Sequence, residues 1–455
     1  MNYATGLGED AKNKPQQPQG KPPIPGPGSQ GQRQQGGPGQ GQGGPRRQRQ
    51  PSGVPGNTYG GGGYGPQGNP YGQKRPEGAP KDENHPNAGE TIACQPTEGF
   101  VSWLAQAKGS LAITTYQAGK VALVGWDGKQ VTMVMRQFEK PMGFAVGPNN
   151  RLALATRHDL MLFANGPLLA GDYLENEKNK YDSLFLPRAS YHTGDLATHD
   201  LAFGDDGLWL VNTRFSCLSQ LSNEFNFVPK WQPKFISMLA PEDRCHLNGL
   251  AMRDGKPAFV TALGETDVVG GWRPTKATGG VVMDVASKEV ITRGLCMPHS
   301  PRWYDGKLWV LNSGKGEMLQ VDPKDGKQTV VCELPGFLRG LSFAGPYALI
   351  GMGKIREKHI FGGLPVGTKY PKLLCGVSIV DLRTGKEVAN LEFTSGCVEL
   401  YDVQFIKNIM KPNILNLLKP QARQAFVAPD FSYWLRPSNV IQDDKPGVTD
   451  PVKQG

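Results

Sequence analysis

Three histidines stand where the chain is about to enter an apolar run: His199 in "THDLAF", His246 in "CHLNGLAM" and His299 in "PHSPRW". Neutral imidazole is a common ligand of zinc and related divalent metals. Three protein ligands leave a fourth position open for water or substrate. Two further starts carry charge and a phenol, "LRGLSF" with Arg339 and "CVELYDVQF" with Glu399 and Tyr401. Glu399 could be a fourth ligand or a general base, Arg339 could clamp a carboxylate or steady developing negative charge, and Tyr401 could give or take a proton. Together they suggest a metal-dependent hydrolase or lyase acting on a small polar, anionic substrate. The alternative is a rim that binds a small ligand, a peptide or a protein without turnover. A histidine beside a turn often bonds only backbone, and HExxH and GxSxG motifs and a phosphate-binding glycine loop are all absent. The chemistry therefore depends on whether the fold brings these residues together.

From about residue 96 the chain alternates short β-like runs with Gly, Asp, Asn and Pro. One pattern recurs: a polar residue, a small residue, an apolar run, a turn and a second apolar strand. It appears in "PMGFAVGPNNRLALATR", "HDLAFGDDGLWLVNTR", "NGLAMRDGKPAFVTALG", "SPRWYDGKLWVLNSG" and "RGLSFAGPYALIGMG". A sixth first strand, "YDVQF", lacks a second, while "SLAITTYQ", "KVALVGWDG" and "KQVTMVMRQF" lack a first. Spacings of roughly 40 to 60 residues in β sequence predict a β-propeller of four-stranded blades. The fold class is all-β: a six-bladed propeller over 96–407, its last blade closed by one carboxy-terminal strand and three amino-terminal ones. A sandwich of irregular hairpins fits the repeated register less well. Residues 99–109 read as a short helix.

In such a wheel the first strand of each blade lines the channel, and its start lies at one mouth. The loop after the second strand opens on the same face. Asn248, Asp195, Asn212, Glu265 and Arg356 therefore join the rim as ligand-binding candidates. Asp195 and His192 could orient an imidazole or merely cap a turn. Four of the seven histidines, His158 included, fall on this face.

Residues 1–92 are rich in Gly, Gln, Pro and Arg, a composition that cannot bury enough apolar surface to order itself. Of the net +9, much sits in this tail, notably at Arg33, Arg46, Arg47 and Arg49. With Tyr59, Tyr64 and Tyr71 it could hold single-stranded nucleic acid, or act only as a solvated spacer. Residues 408–455 read as an extension in which 408–420 form a short amphipathic helix. There is no signal peptide and no apolar run long enough to span a membrane. Seven scattered cysteines without a CxxC pair suit free thiols in a cytoplasmic protein.

The strings "YHTGDLATHDLAFGDDGLWLVNTRFSCL", "PEDRCHLNGLAMRDGKPAFVTALGETD", "MPHSPRWYDGKLWVLNSGKG" and "LPGFLRGLSFAGPYALIG" resemble a bacterial family of conserved hypothetical proteins. The resemblance spans about residues 98–405 and implies a cytoplasmic propeller, with no activity attached. Propellers of the gluconolactonase type are similar in architecture alone. They hold their metal with carboxylates and asparagines, where this chain offers histidines and arginine.

Overall fold

The structure, a computed structural model, describes residues 91–355 and 362–436. Six antiparallel sheets form the blades. From the axis outward, blade 1 contains Phe144–Val146, Leu152–Ala155, Asp159–Asn165 and Ser183–His192. Blade 2 contains Thr198–Gly204, Gly207–Asn212, Cys217–Gln220 and Val228–Trp231. Blade 3 contains Leu247–Arg253, Lys256–Ala262, Gly280–Asp284 and Val290–Leu295. Blade 4 contains Pro298–Tyr304, Lys307–Asn312, Glu317–Val321 and Gln328–Glu333. Blade 5 contains Phe337–Ala344, Tyr347–Gly353, Gly376–Asp381 and Lys386–Ser395. Blade 6 is the composite: Asp402–Lys407 pairs with Gly109–Thr114, which continues into Lys120–Trp126 and Val131–Gln137. The expected six-bladed propeller and its closure are thus present.

Local chemistry explains the hairpins. The first two strands of blades 3 and 4 are joined by Asp254-Gly255 and Asp305-Gly306, and all four residues have positive φ. That is the two-residue turn whose twist matches paired strands. Asn149 and Asn150 adopt the same region in blade 1. Second strands such as "LWVLN" are buried on both faces, because each blade is sandwiched between neighbours. Their apolar residues interlock across blades; Val211 and Leu218 of blade 2, for example, share a cluster with Leu250 and Val260 of blade 3.

Two segments cap open sheet edges. Ala93–Pro96 adds a fifth strand to blade 5, so ordered structure begins before residue 96. The helix Glu98–Gln106 follows, close to the expected span. Thr97 caps it, accepting from the Phe100 amide, and Phe100, Trp103 and Leu104 bury against blades 5 and 6. The helix expected over 408–420 is not formed. Pro412–Ile414 instead pairs in parallel with Ser183–His192 of blade 1. Pro412 disfavours helix in the residue before it, and the exposed edge of blade 1 offers unpaired backbone groups. Ile409, Ile414 and Leu415 are buried there. The expected tail lies outside the described residues up to residue 90, as does 437–455. Among the described residues, no helix is long and apolar enough to cross a membrane. All seven cysteines are free.

Along the axis, three side chains tie the wheel together. Arg302 of blade 4 grips Asp200 of blade 2 with both terminal nitrogens, at 2.7 and 3.1 Å. The same guanidinium donates to Leu250 O of blade 3 and Leu341 O of blade 5. Asp200 accepts from the Leu250 amide, and Asp402 of blade 6 accepts from the Phe144 amide of blade 1. Asp402 stands 4.0 Å from Arg302. Burial pushes its carboxyl up to about 7; Arg302 opposes the rise, and the Asp200 charge adds to it.

Removing one partner of a buried ion pair strands the other charge. Arg302→Ala should therefore lose about 3–5 kcal/mol of unfolding free energy in urea titration; a loss within experimental error would deny the axis this role. The raised Asp402 carboxyl makes a pH prediction as well. An unfolded aspartate titrates near 3.9, so the folded chain keeps this proton longer. The stability it contributes is full below about pH 4 and is lost as pH rises through about 7. Asp402→Asn should remove that part of the decline, seen by comparing the two proteins' unfolding curves from pH 4 to 8.

Candidate ligand site at the channel mouth

Neighbouring side chains of a regular strand face opposite sides. The innermost strands of blades 2 to 5 escape this rule by slipping register near where they begin. In blade 2, His199 and Asp200 together stand between the pairs Thr198–Asn212 and Leu201–Leu210. Blades 4 and 5 repeat the two-against-one arrangement at Ser300-Pro301 and Arg339-Gly340. Such bulges re-aim side chains. Blade 2 can thereby serve both the mouth, with His199, and the axis, with Asp200. Opposite the blade 5 bulge, a Cβ on Gly351 would lie 2.1 Å from the Arg339 carbonyl, so only glycine fits.

The mouth gathers His199, His246, Arg339, Glu399 and Tyr401. The rings of His199 and His246 meet edge to face, with centroids 4.7 Å apart, and His199 also touches Tyr401 at 5.6 Å. Each histidine is held by Nδ1. His199 Nδ1 lies 2.6 Å from Ala197 O, and His299 Nδ1 lies 2.8 Å from Met297 O. A carbonyl only accepts, so Nδ1 carries the proton and Nε2 keeps its lone pair in the neutral ring. His246 Nδ1 makes the corresponding contact to the Asp243 carboxylate, at 2.8 Å. Ala197 and Met297, each two residues ahead of its histidine, have φ of 50°. Backbone in that region costs about 1–3 kcal/mol per residue and concentrates at functional sites. Burial holds His199 and His299 well below the usual imidazole range, and the Arg339 charge adds to the effect in both. Both rings are therefore neutral at physiological pH.

Arg339 lies over the Tyr401 ring, 3.5 Å from its centroid, and pairs with Glu399 at 3.7 Å. Tyr401 is only 2 % exposed, yet its hydroxyl has no hydrogen-bond partner among the described residues. Burial pushes its pKa well above the ordinary phenol value, outweighing Arg339. It therefore keeps its proton, and the O–H is a donor without an acceptor among the described residues.

The remaining candidates are engaged elsewhere. Asn248 donates to Pro298 O and accepts from Thr261, stitching blade 3 to blade 4. Asn212 accepts from the Phe215 amide. Glu265 pairs with Arg293 at an exposed position. Asp195 pairs with Arg214; burial would raise its carboxyl, but that arginine holds it below the usual range. His192 bonds Asp159 rather than an imidazole. Arg356 lies outside the described residues. The sequence reading missed Tyr116, which stacks on Tyr401 at 5.1 Å, and Trp272, which packs on His246 at 4.4 Å and donates to Asp243. It also missed Asp200 and Asp402, although "HD" and "YD" occupy equivalent places in blades 2 and 6.

Neutral Nε2 lone pairs with fixed tautomers suit a divalent metal. His299 leans on Phe337, and among the described residues no group of three or more His, Cys, Asp or Glu side chains is disposed to hold a metal ion.

No curated protein matches the chain in sequence. Among solved structures, the propeller is similar to a chain of a nidogen/laminin complex, with 10% identity, 66% of this chain and 98% of that one covered, and a TM-score of 0.42. A protein of unknown function from Bacteroides caccae gives 11% identity, coverage of 66% and 98%, and a TM-score of 0.42. A streptogramin B lyase gives 10%, coverage of 61% and 74%, and 0.32. At such identities the likeness concerns fold alone. Residues 98–415 match the family described as "Domain of unknown function (DUF4915)", and the chain belongs to that family.

Proposed function

We propose that the histidine mouth binds a small polar ligand carrying a carboxylate or similar anion, and turns it over by hydrolysis or elimination. The buried Tyr401 hydroxyl carries the reading. Leaving a buried hydroxyl unpaired costs about 1–3 kcal/mol, and a ligand oxygen would supply what it lacks. Arg339 brings the positive charge to that point, and the neutral His199 ring offers its Nε2 lone pair as a proton acceptor. A zinc-type metal belongs to the proposal, with His199, His246 and His299 as the residues that would hold it and Lewis-acid activation of a water as the chemistry it would supply. The second reading is a binding module without turnover. The same hydroxyl favours it, since a ligand is all that the hydroxyl requires.

A panel of mono- and dicarboxylates should raise the melting temperature of the full chain, and Tyr401→Phe should abolish the shift. Phe fills the same space and removes the orphan group, so the unliganded melting temperature should hold or rise slightly. Equal shifts in both proteins would remove the basis of the site. In the metal arm, zinc titration by calorimetry should give binding that His199→Ala and His299→Ala each weaken at least about tenfold; no heat from the parent protein would end the metal reading.

A further inference from the structure

The inner strands begin at the histidine mouth and end on the opposite face. Where those of blades 4, 5 and 6 end lies a groove of about 850 Å³. Its wall is aromatic: Trp103 from the helix Glu98–Gln106, Phe343 and Tyr347 from blade 5, and Phe405 from blade 6. Trp103 meets Tyr347 edge-on and leans on Phe405, each at 6.3 Å. Phe343 is stacked at 4.2 Å on Tyr304 of blade 4, which also lines the groove. The rim carries Lys108 and Lys407, both exposed. No Asp or Glu lines the groove.

Lys108 lies in the bend just before the strand Gly109–Thr114, where Asn408 donates to its carbonyl, and Lys407 ends the neighbouring strand opposite Gly109. A helix C-terminus favours one cation at Lys108, but it does not call for the second. Lys108 also occupies a left-handed position, φ 49°, just past the helix, where glycine is the usual residue. Neither ammonium has a carboxylate partner among the described residues.

Aromatic faces beside uncompensated lysines match one ligand chemistry well: flat bases joined by phosphates. We infer that this groove is a docking site for single-stranded nucleic acid, with bases against the aromatic wall and phosphates on Lys108 and Lys407. Stacking tolerates any base, so binding is independent of sequence and dependent on salt. The volume accommodates a few nucleotides.

The test is fluorescence anisotropy of a labelled eight-nucleotide oligodeoxythymidylate with the full chain. The tail arginines can add affinity, so the groove is read from differences between chains that share the tail. The double variant Lys108→Gln/Lys407→Gln should flatten the plot of log affinity against log salt by about 1.4, two single-strand phosphate contacts. Tyr347→Ala should weaken binding at least about fivefold and leave that slope unchanged. Circular dichroism confirms that each variant is folded; the lysine pair is exposed and should not perturb packing. Ultraviolet cross-linking should attach the strand to Tyr347 or Phe405. A parental slope in the lysine variant, or cross-links confined to tail residues, overturns the assignment.

Discussion

Six blades around a channel have no shared hydrophobic centre, so something must hold their inner edges in register. Here it is one guanidinium between two carboxylates. Arg302, Asp200 and Asp402 come from alternate blades and reach backbone groups of the intervening ones. One cation facing two anions leaves a surplus negative charge in a buried place. Asp200 takes the bidentate contact, and Asp402, farther off, is the carboxyl driven toward its protonated form. A purely apolar axis could be as stable. A polar one also specifies which blade meets which, because every donor has a particular acceptor.

In blade 2 the mouth and the axis share one bulge. Without the slip at His199-Asp200, one of the two would face into the blade. There the site and the brace are one backbone irregularity, expressed at successive residues. This couples them physically: the strained residues ahead of His199 and His299 are held by strands that the axial contacts fasten. The result is a fixed group of imidazoles beside a guanidinium and a phenol at one mouth of the channel.

The wheel was legible in the sequence because its repeat is a chemical one. Polar start, apolar run and Asp-Gly turn recur in register, and the incomplete first and last units could belong only to each other. His199, His246, Arg339, Glu399 and Tyr401 followed from that register. What the pattern could not give was the side-chain economy. Asn248 stands at a strand start like its neighbours, yet Thr261 and the Pro298 carbonyl consume its amide. Glu265 lies on the correct loop and is taken by Arg293. Such pairings join residues far apart in sequence, so no local spacing encodes them. The segment 408–420 misled for a related reason: its apolar residues suit a helix face equally well, and only the open edge of blade 1 decides between the two.

The composite blade has a consequence for how the molecule is made. Tyr401 and Asp402, on which mouth and axis both rely, are translated roughly 300 residues after the strands they complete. Until they leave the ribosome, Gly109–Thr114 has an unpaired inner edge and the ring is open. Early blades can stack on one another as they emerge, but the pore acquires its final shape only at the end of synthesis. A chain halted before residue 401 would present an exposed strand to its neighbours, and quality-control machinery would meet an unfinished circle rather than a smaller version of the finished one.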